Sequence, residues 1–230
     1  MTMGEHVVIE EGAVIGKNVS IGHHVIIYRD SVIGDNTVIC DHAVIGKPPM
    51  RGKRSALPVQ KRPPGTIIGN DVVIGTSAII YRGATLHDAV FVADLASIRE
   101  RVTIHGETII GRGVAIENDC TIGKRCKIET NAYITAYSTL EDDVFIAPCV
   151  VTTNDNYLAR CEERFSHFKG VTIKRGGRIG ANATILPGKV MEEESVAAAG
   201  SLVTKDLGAR TIYAGHPAKP FREVPSNQWL

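Results

Sequence analysis

Residues 104–134 read IHGETIIGRGVAIENDCTIGKRCKIETNAYI. Every sixth position is isoleucine: Ile104, Ile110, Ile116, Ile122, Ile128 and Ile134. The beat continues upstream through Ile98, Val92, Leu86, Ile80 and Ile74 to Ile68, and downstream through Leu140 and Ile146 to Thr152. Two further runs keep the same period. One is Ile9, Ile15, Ile21, Ile27, Ile33, Ile39 and Ile45; the other is Ile173, Ile179, Ile185, Met191, Ala197 and Val203. Only Thr152 and Ala197 depart from Ile, Leu, Val or Met at these anchors. The residue after an anchor is often glycine, as at Gly16, Gly34, Gly75 and Gly123. The fourth after it is small or β-branched, as at Val19, Ala43, Ala78, Cys120, Cys126 and Ala132.

A period of six fits neither a helix at about 3.6 residues per turn nor alternating hairpin strands. It fits two-residue strands joined by tight corners, three strands closing one triangular coil of about 18 residues. Anchor and small residue point inward, and each coil hydrogen-bonds to the next. The composition agrees: aromatics are 5% of the chain and 23 of its 230 residues are glycine, so the core must be aliphatic and narrow. The expected fold is all-β, a parallel β-helix of about nine triangular coils. It spans 1–206, with inserted loops at 46–67 and 153–172 and a C-terminal extension at 207–230, a short tail in which the lone Trp229 is a natural anchor.

Charge and hydropathy exclude several classes. The net charge of +1 gives no field for nucleic acid. No apolar run reaches a membrane span of about 18 residues, and the opening MTMGEHVVIEEG is not a secretion signal. Five cysteines without a CxxC pair fit free thiols in a reducing, cytoplasmic setting.

The two interruptions attract attention because loops that break a strict repeat are where function tends to sit. Residues 48–64, PPMRGKRSALPVQKRPP, carry five cations (Arg51, Lys53, Arg54, Lys61, Arg62) and no acid. They read either as a basic arm for a phosphate or a neighbouring subunit, or as a solvated insertion kept irregular by proline. Residues 153–172, TNDNYLARCEERFSHFKGVT, are charge-balanced and aromatic, which suits a loop that packs on something.

Residues 18 apart stack in columns. One edge carries Arg99, Glu117, Thr135 and Thr153; beside them run Glu100, Asn118, Ala136 and Asn154, then Arg101, Asp119, Tyr137 and Asp155. These form a polar patch leading into the second loop. An outward polar column is also ordinary solvated surface. His6, His24 and His42 form a second column, and His87 stacks on His105. The first reads as a solvent-facing ladder, with no metal expected. His105 or His87 is a candidate general base, on a different edge from Asn154. Cys120 and Cys126 read as core. Cys149 has no basic neighbour in sequence to activate it, which disfavours a covalent route.

The hexads resemble the hexapeptide-repeat acyltransferase superfamily, whose fold is a left-handed parallel β-helix; the hand is what the resemblance implies. Within that superfamily the chain resembles the sugar N-acetyltransferases. The motifs are KIETNAYITAYSTLEDDVFIAPCVVTTND at 127–155, with APCVVTTNDN at 147–156 followed by Arg160, then IGANATILPG at 179–188 and AGHPAK at 214–219. Related enzymes carry glutamine and asparagine where this chain has Glu129 and Thr130, so the acceptor stays open. The resemblance implies acetyl-CoA as co-substrate, a nucleotide-linked amino sugar as acceptor, and a homotrimer with sites between subunits. On that reading Glu117 and His105 are the catalytic candidates. Substrate binding falls to Glu100, Asn118, Asn131, Tyr137, Asn154, Asp155, Asn156 and Arg160. Asn131 is matched to an asparagine near the acceptor amine of the resembling enzymes. Cations for the CoA phosphates are Lys174, Arg175 and Lys205, and Gly180, Ala181, Ala199 and Gly200 leave room for a pantetheine arm. The chain shows neither a nucleotide-binding βαβ segment nor a long helical C-terminal domain, which is expected to separate it from two-domain sugar acetyltransferases and lipid A acyltransferases. O-acetyl or succinyl transfer, a carbonic anhydrase-like hydratase of the same prism, and a non-catalytic scaffold are the alternatives.

Overall fold

The computed structural model describes residues 1–53, 55 and 63–230. Among these residues, short strands stack into sheets of 12, 10 and 9 strands, the three faces of a β-helix, parallel throughout except for the last strand of the largest sheet. Face I holds Val73–Ile74, Phe91–Val92 and Ile109–Ile110; face II holds Ser97–Ile98, Ala115–Ile116 and Tyr133–Ile134; face III holds Thr103–Ile104, Thr121–Ile122 and Thr139–Leu140. Strand partners lie one coil apart, Thr85 beside Thr103 and Thr103 beside Thr121. The anchors fill the interior, and each fully buried isoleucine is worth about 1.5–3 kcal/mol. Val114, Cys120, Cys126 and Ala132 are buried between them. Burial pushes the Cys120 thiol up to about 12 and the Cys126 thiol to about 11, so both are inert core.

Most corners turn through a left-handed residue three places after the anchor: Arg101, Asp119 and Tyr137 have φ of 59°, 60° and 66°. The glycine after an anchor serves close stacking. A Cβ on Gly75 would meet the backbone of Asp94 and Ala93 in the next coil.

The stack holds about 11 coils, not nine. Two layers escape the hexad count. Thr2–Met3 pairs with Ser20–Ile21 ahead of Ile9, and Thr211–Gly215 pairs in parallel with Val196–Ala197 beyond Val203. Thr211–Gly215 then turns back as a hairpin with Ala218–Glu223. Trp229 lies over the Arg210 guanidinium at 4.5 Å and its indole N–H donates to the Val224 carbonyl (3.2 Å). The Leu230 amide donates to Glu194 (3.0 Å).

Both insertions leave face II and return on face III, so they project from one edge. The first runs from Val44–Lys47 to Ile67–Ile68 and the second from Val151–Thr152 to Thr172–Ile173. Arg54, Lys61 and Arg62 of the basic arm lie outside the described residues; Arg51 and Lys53 are exposed.

Candidate functional site

Stacking on the II/III edge brings the predicted polar columns together. Arg99 is their hinge. Its Nε and Nη2 donate to Glu100 (2.8 and 3.1 Å), and its Nη1 reaches Glu117 at 3.4 Å. Its guanidinium also lies 4.9 Å from the Tyr81 ring centre, which Lys47 approaches at 5.3 Å. Arg101 grips Asp119 with two hydrogen bonds (2.6 and 2.7 Å), and the Asn118 amide donates to the same carboxylate (2.6 Å). Desolvation at Asp119 opposes ionisation, but these donors outweigh it and hold the carboxyl below its ordinary range.

Above this network a cavity of about 250 Å³ opens under the second insertion. Glu117, Asn118, Tyr137, Asn154 and Asp155 line it, as the columns predict. The insertion supplies Arg164 and Phe168. Burial pushes the Glu117 carboxyl above the usual glutamate value; Arg99 opposes that shift and Glu100 adds to it. Burial also raises the Tyr133 phenol in the same cavity, with Glu117 adding to the shift. A carboxylate in a cleft with a raised pKa is suited to taking a proton near neutral pH.

Asp155 organises the insertion. It accepts from the amides of Tyr157 (2.8 Å) and Ala159 (3.0 Å) and from Arg164 Nη1 (3.1 Å). Burial works against its charge, yet these donors prevail and its pKa lies below the usual aspartate value. Arg164 in turn lies over Phe165 and Phe168, at 4.6 and 5.5 Å from the ring centres. The chain closes back through the Lys169 amide, which donates to the Asn154 carbonyl (3.2 Å).

Other predicted residues lie elsewhere. Glu100 is buried against Arg99 and does not line the cavity. Asn156 and Arg160 are exposed on the insertion, whose wall uses Arg164 instead. Asn131, at φ 59°, turns the I/II edge. Gly180, Ala181, Ala199 and Gly200 share that edge, and a Cβ on Gly180 would meet the Ala199 backbone, so its openness is filled by the next coil. His87 and His105 stack on the III/I edge at 4.7 Å; desolvation lowers the His105 pKa, as does His87. Lys174 and Arg175 lie on the same edge, paired with Glu141 (2.8 Å) and Asp143 (3.4 Å). Lys205 is exposed on the II/III edge beyond the cavity. Reading by eighteens assigns each of these to its edge once the insertions are subtracted. Arg164 and Phe168 carry no such signal, because the insertion has no period. His6, His24 and His42 form a stacked ladder on the I/II edge at 4.9 Å spacing, and among the described residues no cluster has the arrangement of a metal site. Among them, too, no helix is long and apolar enough to cross a membrane.

Comparison with known proteins bears on this frame. Residues 12–47 match the family described as bacterial transferase hexapeptide (six repeats), and residues 65–93 match the hexapeptide repeat of succinyl-transferase. A Staphylococcus aureus 2,3,4,5-tetrahydropyridine-2,6-dicarboxylate N-acetyltransferase is 44% identical over 50 residues, 22% of this chain and 21% of its own. A Schizosaccharomyces pombe protein named as an acetyltransferase is 46% identical over 46 residues, 20% of this chain and 22% of its own. The chain thus spans about a fifth of the length of these curated relatives. The crystal structure of UDP-N-acetylglucosamine O-acyltransferase from Moraxella catarrhalis superposes with a TM-score of 0.65 at 16% identity, covering 99% of this chain and 76% of that one. The UDP-N-acetylglucosamine acyltransferase of Campylobacter jejuni superposes at 0.53 and 20% identity, covering 94% and 73%. The repeat, its matches and these shared coils define a hexapeptide-repeat β-helix. Residues 12–47 and 65–93 thus carry the hexapeptide repeat of bacterial transferases, and the chain as a whole shares the fold of these acyltransferase structures.

Proposed function

We propose that the protein is an acetyl-CoA-dependent acyltransferase that N-acetylates an amino group of a nucleotide-linked amino sugar by direct transfer. One observation carries this reading: Glu117, with its pKa raised by burial, faces a cavity shared with Asn118, Asn154 and Asp155. The acceptor amine attacks the thioester carbonyl, its proton passes to the Glu117 carboxylate, and the CoA thiolate leaves. Asn118 and Asn154 orient the acceptor, and fixing the two reactants supplies most of the rate. The acetyltransferase names of the curated relatives support the acyl-transfer part. The CoA candidates lie on different edges of one chain: Lys205 on II/III, Gly180, Ala181, Ala199 and Gly200 on I/II, and Lys174 with Arg175 on III/I. A homotrimer would bring edges of neighbouring copies together around one thioester.

The test is thiol release from acetyl-CoA with a panel of amino sugars, nucleotide-linked and free, beside hydroxyl acceptors. Turnover with an amino sugar that is lost in Glu117→Gln supports the proposal; no thiol release with any acceptor sinks it. Turnover confined to hydroxyl acceptors and abolished by His105→Ala would point instead to O-acyl transfer with a histidine base from a neighbouring copy. Light scattering on the purified protein measures the oligomer.

A further inference from the structure

The anchor beside the cavity is a hydroxyl residue in an aliphatic column. Thr152 is 1% exposed, and it stands between Ile134 in the coil below and Ile185 in the coil above. Burying a hydroxyl costs free energy unless it is hydrogen-bonded. Here it is bonded twice. Thr152 Oγ1 accepts from the Thr135 amide (2.8 Å) and donates to the Tyr133 carbonyl (3.1 Å).

That bridge interrupts the ladder. In the preceding coils the amide after the anchor donates to the carbonyl of the next anchor, Arg99 to Ile116 and Glu117 to Ile134, each at 2.9 Å. At Thr135 the amide turns to a side chain instead. The strand pairing changes with it: Tyr133 faces Val151 as a single pair, whereas the coils on either side pair through two residues. The Thr135 carbonyl is held by Ser138 Oγ (2.7 Å) and Cys120 Sγ (3.1 Å). Ser138 Oγ also accepts from the Val171 amide (3.2 Å), where the second insertion rejoins the coil. The cavity reaches down to Glu117 and Asn118, and its middle and upper walls are the coil bearing Tyr133, Thr135, Ala136 and Tyr137 and the coil bearing Asn154 and Asp155. Thr152 lies at the seam of those two coils and does not line the cavity itself.

The geometry points to Thr152 as a positioning residue: its hydroxyl, inserted between two coils, sets the Thr135–Tyr137 corner at the height that keeps the cavity open. An aliphatic anchor would let the Thr135 amide return to the carbonyl of residue 152, because a buried N–H must find an acceptor. The corner would then sink toward the next coil and the cavity would narrow. The kinetic consequence rests on the acyl-transfer reading above; the geometric one does not.

The experiment compares wild type with Thr152→Val and Thr152→Ser, each by crystal structure, thermal melting and steady-state kinetics. The valine variant should melt no lower than wild type, show the amide of residue 135 on the carbonyl of residue 152, and lose cavity volume. Its kcat should fall at least about tenfold while KM for acetyl-CoA stays within about twofold, since misplacement by about 1 Å costs rate before affinity. Serine keeps the bridge and should restore both volume and rate. Should the valine variant fail to fold, Thr152→Ala against Thr152→Ser makes the same comparison, since only alanine loses the bridge. An unmoved corner and an unchanged cavity without the hydroxyl would overturn the inference, as would kcat within about twofold of wild type. Wild-type protein inactive toward every acceptor would sink the acyl-transfer reading alone, and the crystal structures would still decide the role of Thr152.

Discussion

The two insertions break the same edge of the same prism and use it in opposite ways. The first is fastened from the next coil. Arg82, 3% exposed, donates to the Pro63 carbonyl (2.9 Å), the Arg29 carbonyl (2.7 Å) and the Asp30 carboxylate (2.8 Å), sealing the place where the chain rejoins the coil. Asp30 is half exposed, so this arginine satisfies backbone more than it pairs charge. The second insertion is fastened from within. Asp155 caps its own loop and draws in Arg164, and the loop in turn roofs a cavity. A break in a solenoid becomes a site only when the returning chain is held above the coils rather than sewn flat into them.

Five measurements sharpen that contrast. The largest effect is expected at Glu117. Glu117→Gln should lower kcat about a hundredfold or more, the usual span for losing a general base, and should leave the melting temperature unchanged or higher, because the buried charge is gone. Next comes Arg82→Met, which strips donors from the Arg29 and Pro63 carbonyls. It should cost about 2–3 kcal/mol in chemical denaturation and leave the chemistry at the second insertion intact; a loss of activity without a loss of stability would erase the contrast. Third, Arg164→Ala should reduce kcat/KM about three- to tenfold with a melting shift under about 2 °C, since it removes one wall of the cavity while the Asp155 amide bonds remain. A collapse of global stability would show that the second loop is structural as well.

The smallest effects are read by pH. Asp155 has a lower pKa folded than unfolded. Its contribution is therefore complete above the ordinary aspartate value of about 3.9 and fades as pH falls through the depressed folded value. Amide exchange of Tyr157 and Ala159 should stay slow down to that range and quicken below it. Glu117 shifts the other way. As pH falls it takes up its proton above the ordinary value of about 4.3, so the acid limb of kcat/KM should lie above that figure and disappear in Glu117→Gln.

The coils were readable from Ile104 to Ile134 alone, because a triangular section admits one anchor per side and returns to it every six residues. The polar patch was readable for the same reason: a spacing of eighteen put Glu117 beneath Thr135 and Asn118 beneath Ala136. What escaped was aperiodic. Arg164 and Phe168 reach the cavity through loop geometry set by Asp155, and nothing in the spacing marks them. The outermost layers escaped too, since Met3 and Ile212 stand beyond the anchors that open and close the three runs. The CoA candidates were chosen for charge and size across the last coils. Subtracting the second insertion would have sorted Lys174, Gly180 and Lys205 onto three edges.

The left-handed corners carry a consequence for how such a frame can change. Their occupants include His24, Asp71, Ser77, Leu95, Arg101, Asn131 and Tyr137, and neither valine, isoleucine nor threonine is among the described residues with positive φ. Branching at Cβ is what this backbone refuses; charge, ring and polarity are all admitted. Each edge is thus a row of pegs on which chemistry can be exchanged one residue at a time, while the aliphatic stack behind it goes on specifying the same shape.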